Sequence, residues 1–346
     1  MKKIVLVFFL LIFLGGAVAA WLFFGPATGF TSKKEALYIS SKAPTKEAIL
    51  DSIENRHLIK NSALFSWLAN QMKYWTAVKP GKYEIEKGSS LFSLVRKLRN
   101  GQQTPVNLVI TKLRTKEDLA RAVGRRFETD SAQMMQFLNN ADALNDFGAT
   151  PETAMWNVLP DTYTFLWNTS AEKIYAKLAD ESKKFWTPVR KSKATTLGLS
   201  TIQAYILASI IEEETTNNGE KDTMASVYLN RIKTNMPLQA DPTVKFALHD
   251  FGLKRILQKH WKIPSPYNTY LNRGLPPGPI CTPGKQTIEA VLNAPNTKYL
   301  YFVANKNLKQ SHIFTTNYAD HLQYAREYQQ VLDSLQKGRD AKAAER

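Results

Sequence analysis

Three consecutive glutamates, Glu212, Glu213 and Glu214, follow a strongly apolar run in the segment TIQAYILASIIEEETT. A carboxyl group at the margin of a core can hold a proton near neutrality, which is what general acid–base chemistry requires. With residues placed at about 100° intervals and Ile210 at zero, Ile206 falls near −40°, Leu207 near +60°, Ile211 near +100° and Ile202 near −80°. On the same wheel Glu214 falls near +40°, inside the apolar stripe, Glu213 near −60°, at its edge, and Glu212 near 200°, facing away. A carboxyl that continues an apolar stripe is desolvated, and its pKa rises accordingly. The competing reading is a helix end where the stripe has run out and all three side chains are solvated. Geometry alone also leaves Glu213 open as the proton carrier.

The elements that must position these residues are read from periodicity and turn signals. At the N-terminus the run from Ile4 to Phe24 holds 21 residues without a charge. As a helix it is about 32 Å long, enough for a bilayer core of about 30 Å. A cleaved signal peptide competes, because Ala17, Ala19 and Ala20 supply small residues near its end. Trp21, Phe23 and Phe24 carry the apolar run past those alanines and favour an uncleaved anchor. Lys2 and Lys3 favour a cytoplasmic N-terminus, with Lys33 and Lys34 weakening the asymmetry. Residues 25–33 read as a linker. Between 46 and 68, Ile49, Ile53, Leu58, Ile59, Leu64, Phe65 and Leu68 recur at helical spacing and predict two short helices. Pro80-Gly81 marks a turn, Tyr83 and Ile85 alternate as in a strand, and Gly88-Ser89-Ser90 precedes an amphipathic helix from Leu91 to Leu98. That order resembles a LysM-type glycan-binding module over residues 34–104, with a ligand-free α+β spacer as the alternative.

Beyond it, residues 105–336 form a larger mixed domain, so the fold class is α+β with an N-terminal transmembrane helix. A strand starts at Val106, helices cover 115–127, 131–138, 171–185 and 201–215, and the stretch from Pro237 to Gly284 reads as irregular. Residues 299–304 read as a buried strand, 317–335 as a helix and 337–346 as a charged, frayed tail.

The formal net charge is +16, from 46 basic and 30 acidic residues, which favours anionic partners. An exported location removes nucleic acid as an ordinary partner and leaves lipid headgroups, the acidic peptides of a cell wall, or solubility. Cys281 is the only cysteine, so no intramolecular disulfide and no cysteine-based metal cluster can form within the chain. No cofactor and no metal are called for. A zinc site on His312, Asp320 and His321 lacks the helical His-Glu-x-x-His spacing.

Several motifs carry a family resemblance. The run Leu207-Ala208-Ser209-Ile210-Ile211-Glu212-Glu213-Glu214-Thr215 is similar to the catalytic helix of the YceG-like, MltG-type endolytic murein transglycosylases, in which the pattern is usually Ala-Ser-Ile-(Val/Ile)-Glu-Lys-Glu-Thr. Further matches follow in family order: Leu159-Pro160-Asp161-Thr162-Tyr163 upstream, then Ala225 to Arg231, Leu238 to Val244, Tyr267 to Tyr270, Gly274 to Ile280, Tyr299 to Ala304, and His312-Ile313-Phe314. The chain departs from the pattern at Glu213, where lysine is usual, and at Trp156-Asn157, where Glu-Gly is common. Like charges at 213 and 214 would raise the proton affinity of at least one if both are partly buried. The resemblance implies that Glu214 alone acts as general acid and then general base, the muramic C6 hydroxyl closing a 1,6-anhydro ring without consuming water. It also implies an inner-membrane enzyme with its catalytic domain outside, peptidoglycan glycan strands as substrate and peptidoglycan synthases as protein partners.

Gln239, Asp241, Thr243, Asn268, Tyr270 and His312 are candidate hydrogen-bonding partners for sugar and acetamido groups. The alternative for each is scaffolding, loop turns for the first five and a core histidine for His312. The proline-rich 274–284 segment reads as a rigid cleft wall. Two rival functions remain at this stage: a hydrolase in which Asp241 activates water opposite Glu214, and a non-catalytic wall-binding protein.

Overall fold

A helix with apolar side chains on every face has no polar side to turn to water, and α1 (Lys2–Phe24) is such a helix, its apolar side chains standing exposed all round. In this computed structural model the described residues are 2–253, 255–309 and 311–344, and the described side chains exclude Lys2 and 338–344. Among the described residues α1 is the helix long and apolar enough to cross a membrane by itself, a property that an anchor and a signal sequence share.

The chain divides into two compact units. The first holds residues 1–108, 122–131 and 163–171, and the second holds residues 109–121, 132–162 and 172–346.

In the first unit, β1 (Lys34–Ile39) pairs antiparallel with β2 (Gly81–Glu86), Leu37 opposite Tyr83. Between them in the chain lie α2 (Lys46–Asn55) and α3 (Ser62–Gln71), the two helices expected from 46–68. Each is capped by a side chain, Thr45 on the amide of Ala48 and Asn61 on that of Leu64. After β2 comes α4 (Leu91–Asn100), capped by Ser90 and ended by Gly101 at a φ of 69°, a left-handed conformation that glycine adopts without strain. Leu37, Ile53, Leu58, Phe65, Tyr74, Tyr83, Val95 and Leu98 form its core, all fully buried. Residues 25–33, read as a linker, are tied into this unit. Ala27 donates to the Ser89 carbonyl at 3.1 Å and accepts from Lys60 at 2.9 Å, and Gly29 donates to Leu58 at 3.2 Å.

β3 (Val106–Ile110) then leads to α5 (Lys116–Gly124), α6 (Ser131–Leu138) and α7 (Ala141–Asn145), and β4 (Asp161–Phe165) pairs with β3. Next come α8 (Ala171–Phe185), α9 (Pro188–Thr196), α10 (Thr201–Glu214), α11 (Lys221–Lys233), α12 (Asp241–Leu248), α13 (Lys285–Leu292), the antiparallel ribbon β5 (Tyr301–Ala304) with β6 (His312–Thr315), and α14 (Tyr318–Ala344).

The centre of the second unit is α10, opened by a capping box in which Ser200 accepts from the Gln203 amide and the Gln203 side chain accepts from that of Ser200. It packs against α9, α11, α12 and α13, so every residue from Ala204 to Ile211 is buried. That corrects the helical-wheel expectation: the helix has no solvent face along this stretch, only a buried shaft whose last turn carries the glutamates.

Three expectations differ from the fold. α12 lies inside the stretch read as irregular, because Pro242 occupies the first turn of a helix, where its missing N–H costs nothing, rather than a turn. The strand at 301–304 is partly rather than fully buried, since it pairs with β6 alone and not inside a larger sheet. The C-terminal helix runs on to Ala344, past the expected end at Leu335, while the last two residues of the expected frayed tail lie outside the described residues.

Candidate active site

The last turn of α10 presents three carboxylates, and each meets a different environment. Glu212 accepts from Lys221 Nζ at 3.0 Å and from the Thr287 hydroxyl, so it is joined to α11 and α13. Lys221 is itself buried, its Nζ also donating to Thr287 Oγ1 at 2.8 Å. Glu212 therefore does not face solvent as the wheel suggested; it neutralises a buried ammonium. Glu213 lies between Lys112 Nζ at 2.8 Å and Arg114 Nη2 at 3.1 Å.

Glu214 takes part in none of the described ion pairs. Its Oε1 accepts from Tyr228 Oη of α11 at 2.8 Å. Burial pushes its carboxyl up to about 7, partly opposed by the Tyr228 hydrogen bond; the nearby Asp241 charge pushes in the same direction as burial, and Arg231 and Lys245 pull it back. The rise thus comes from desolvation and Asp241, not from the adjacent Glu213, whose charge is balanced by two cations. Tyr228 has its own hydroxyl pKa pushed well up, first by burial and then by the charge of Glu214, so it remains a donor.

The groups around Glu214 are held by backbone contacts. Buried Arg231 donates from Nε to the Leu300 carbonyl at 2.7 Å and from Nη1 to that of Leu238 at 2.6 Å, and its guanidinium lies 5.6 Å from the Tyr301 ring centre. Asp241, the first residue of α12, accepts from Tyr270 Oη at 2.6 Å. Burial and that carboxylate push the Tyr270 hydroxyl pKa upwards. The Tyr270 ring stacks on Trp261, centroids 5.1 Å apart and planes 11° apart.

Of the candidate contact residues, Asp241 and Tyr270 meet beside Glu214. Gln239 is exposed at a φ of 51°, its backbone N–H donating to the Thr269 carbonyl. Thr243 and Asn268 are fully buried, and their polar atoms are engaged within the chain. The Thr243 hydroxyl donates to Ala240 and lies 2.9 Å from that of Thr269, while the Asn268 amide donates to Trp261 and Ile263 and its carbonyl accepts from the Tyr270 amide. These two shape the loop that carries Asp241 and Tyr270. His312 sits on β6 with Nδ1 2.7 Å from Glu220 Oε1, and Glu220 in turn accepts from the Thr215 hydroxyl at 2.7 Å. His312 thus fastens the segment that follows Glu214.

The proline-rich segment closes against α10: Ile280 N–H donates to Ser209 Oγ at 3.0 Å and the Cys281 thiol reaches Ser209 O at 3.4 Å. It passes the Glu152 carbonyl so closely at Gly278 that any Cβ there would collide with it. Two hollows border this wall and share Arg114 and Phe246. The smaller also touches Glu213, Pro242, Lys245 and Ile280, and the larger has about 280 Å³.

Tyr228, Arg231, Lys245 and Trp261 were not singled out from sequence. Tyr228 and Arg231 lie in the Ala225-to-Arg231 motif, which carried the resemblance but offered no local sign of what its tyrosine touches.

A Bacillus subtilis protein named endolytic murein transglycosylase is 30% identical over 290 residues, covering 79% of this chain and 79% of its own length. A Streptococcus pneumoniae protein of the same name is 27% identical over 308 residues, and the matched part is 55% of that longer protein. The crystal structure of a Listeria monocytogenes yceG-like protein superposes with a TM-score of 0.54 at 28% identity, covering 85% of this chain and 99% of the other. With the family profile matching residues 37–327, α10 and its three glutamates included, the chain belongs to the YceG-like family.

Proposed function

We propose that the protein is a membrane-anchored endolytic peptidoglycan lytic transglycosylase in which Glu214 is the only proton-transfer group. The observation that carries this reading is one carboxyl, held near a pKa of 7 by burial, at the end of a rigid helix and hydrogen-bonded by Tyr228. Near neutral pH such a group exists in both protonation states and serves both halves of the cycle. As an acid it protonates the glycosidic oxygen between N-acetylmuramic acid and N-acetylglucosamine. As a carboxylate it takes the proton of the muramic C6 hydroxyl while O6 attacks C1, closing the 1,6-anhydro ring. Tyr228 stabilises the carboxylate that forms after the first transfer. Arg231 and Lys245 supply positive potential, and the Trp261–Tyr270 stack offers a flat surface for a sugar face.

α1 anchors the chain in the inner membrane with its N-terminus in the cytoplasm, and both units act outside on newly made strands, limiting their length alongside the peptidoglycan synthases. The strand-helix-helix-strand unit ahead of the catalytic residues supports the reading of a LysM-like glycan contact.

Asp241 favours a second reading, hydrolysis, because its charge acts on Glu214 from a separate element as a water-activating base would. Product analysis decides. Incubation of the full-length chain with peptidoglycan, followed by mass spectrometry of strand ends, is expected to give anhydro ends that vanish in Glu214→Gln. Reducing ends would establish hydrolysis, and intact strands with both proteins would leave only binding.

A further inference from the structure

We infer that the face of the first unit around Trp67 is a membrane-contacting surface that rests in the headgroup region of the bilayer entered by α1. The inference goes beyond the proposed activity and rests only on α1 spanning the membrane.

Depth is the first argument. A helix from Ile4 to Phe24 is about 32 Å long against an apolar core of about 30 Å, so Phe23 and Phe24 stand at the outer boundary. Whatever packs on them lies at that depth too. The Phe23 ring lies 5.5 Å from that of Trp67 on α3, and the Phe24 ring 5.1 Å from that of Phe92 on α4.

Attachment is the second. The residues after α1 are hydrogen-bonded rather than free. Gly25 donates to Trp21 at 2.8 Å, the chain around Ala27 is tied to Ser89 and Lys60, and Gly88 donates to the Thr28 hydroxyl at 2.9 Å. The unit therefore cannot swing away from the helix end without breaking these bonds.

Surface chemistry is the third. Trp67 is 52% exposed although it packs on Phe23, and Trp21 and Phe24 are more exposed still. An apolar hollow of about 160 Å³ is lined by Trp21, Leu22, Ile59, Lys60, Leu64 and Leu91 among others. In water such a continuous patch is unfavourable, whereas tryptophan with flanking basic residues suits the lipid interface. The Arg96 guanidinium lies 5.8 Å from the Phe92 ring centre and Lys60 is exposed, so both cationic heads can extend towards phosphate while their stems cover apolar surface. Continuity with the apolar surface of α1 makes phospholipid the occupant.

The test uses the full chain in nanodiscs carrying a phospholipid with a quencher near the glycerol, comparing wild type with Trp67→Phe, which keeps a ring against Phe23. Of the seven tryptophans, Trp21 and Trp67 are expected to supply the lipid-quenchable emission, so the substitution halves it, about a twofold loss. Labelling with a photoactivatable phosphatidylglycerol is expected to mark residues 59–68 and 91–96 as well as α1. Unchanged quenching with labels confined to α1, in a chain that stays in the nanodisc, overturns the inference and leaves the anchor intact. A chain that does not remain in the nanodisc overturns both, and strand cleavage is a separate readout that neither result alters.

Discussion

Replacing Glu214 with glutamine tests the electrostatics of the site without any substrate. The carboxyl has a folded pKa of about 7 against an ordinary 4.5, so the folded state binds its proton more tightly than the unfolded state does. For a group with raised pKa, the stabilisation is fully present below pH 4.5 and is lost as pH rises through 7. A shift of this size corresponds to about 3 kcal/mol. Glutamine fills nearly the same volume, accepts from Tyr228 through its carbonyl oxygen and never ionises. The variant and the wild type should therefore have nearly equal stability at pH 4.5, and the variant should gain an advantage that levels off above pH 7 at about 3 kcal/mol. At about 2–4 °C per kcal/mol for a unit of this size, the gap in melting temperature opens to about 6–12 °C. Differential scanning calorimetry of both proteins from pH 4.5 to 8.5 reads it, and the other titrating groups cancel in the difference. A gap that stays constant with pH would show that Glu214 is not desolvated, and the proton-transfer reasoning would fall with it.

The neighbours of Glu214 give directional predictions. On the proposal that protonated Glu214 is the acid, kcat/KM should fall about tenfold per pH unit above about 7. Tyr228→Phe removes a hydrogen bond that holds the pKa down, so the alkaline limb should move upwards while kcat drops by about ten- to a hundredfold for want of a donor to the carboxylate, both read from pH–rate profiles. Asp241→Asn removes a charge that holds the pKa up, so the limb should move downwards with anhydro ends retained; loss of reducing ends instead would identify Asp241 as a water-activating base. Glu213→Lys, which restores the residue usual in the family pattern, should destabilise this chain by about 1–3 kcal/mol in chemical denaturation, because it leaves Lys112 and Arg114 beside a third cation.

How far these features were legible from sequence depends on whether they are local. The helices at 131–138 and 171–185 matched their expected bounds because an amphipathic period and its boundary residues lie within the segment itself. α12 was hidden because Pro242 serves equally as a turn residue and as a first-turn helix residue, and only the packing of α12 on α10 decides between them. Glu214 was singled out through its place in a motif; the stripe argument behind it was weaker than it looked, since α10 is buried on every side from Ala204 to Ile211. The residues that tune Glu214 carried no local mark. Tyr228 is 14 positions away, and Arg231, Asp241 and Lys245 reach it only through the fold. The cations on Glu213 come from positions 99 and more away in the chain.

A core helix that ends in three adjacent carboxylates poses one electrostatic problem, since three unscreened charges cannot share a partly dry site. The chain meets it in three ways. Glu212 is matched by buried Lys221, Glu213 by Lys112 and Arg114, and Glu214 by a proton. The first two solutions supply the condition for the third. With the adjacent charges paired locally, the proton affinity of Glu214 is set by burial, Tyr228 and Asp241, and it settles near 7 rather than far above it. A cation placed within ion-pair distance of Glu214 would lower its pKa and remove the acid, whereas unpairing Glu213 would raise it and remove the base. The ion pairs at 212 and 213 are therefore part of what makes residue 214 able to both give and take a proton at neutral pH.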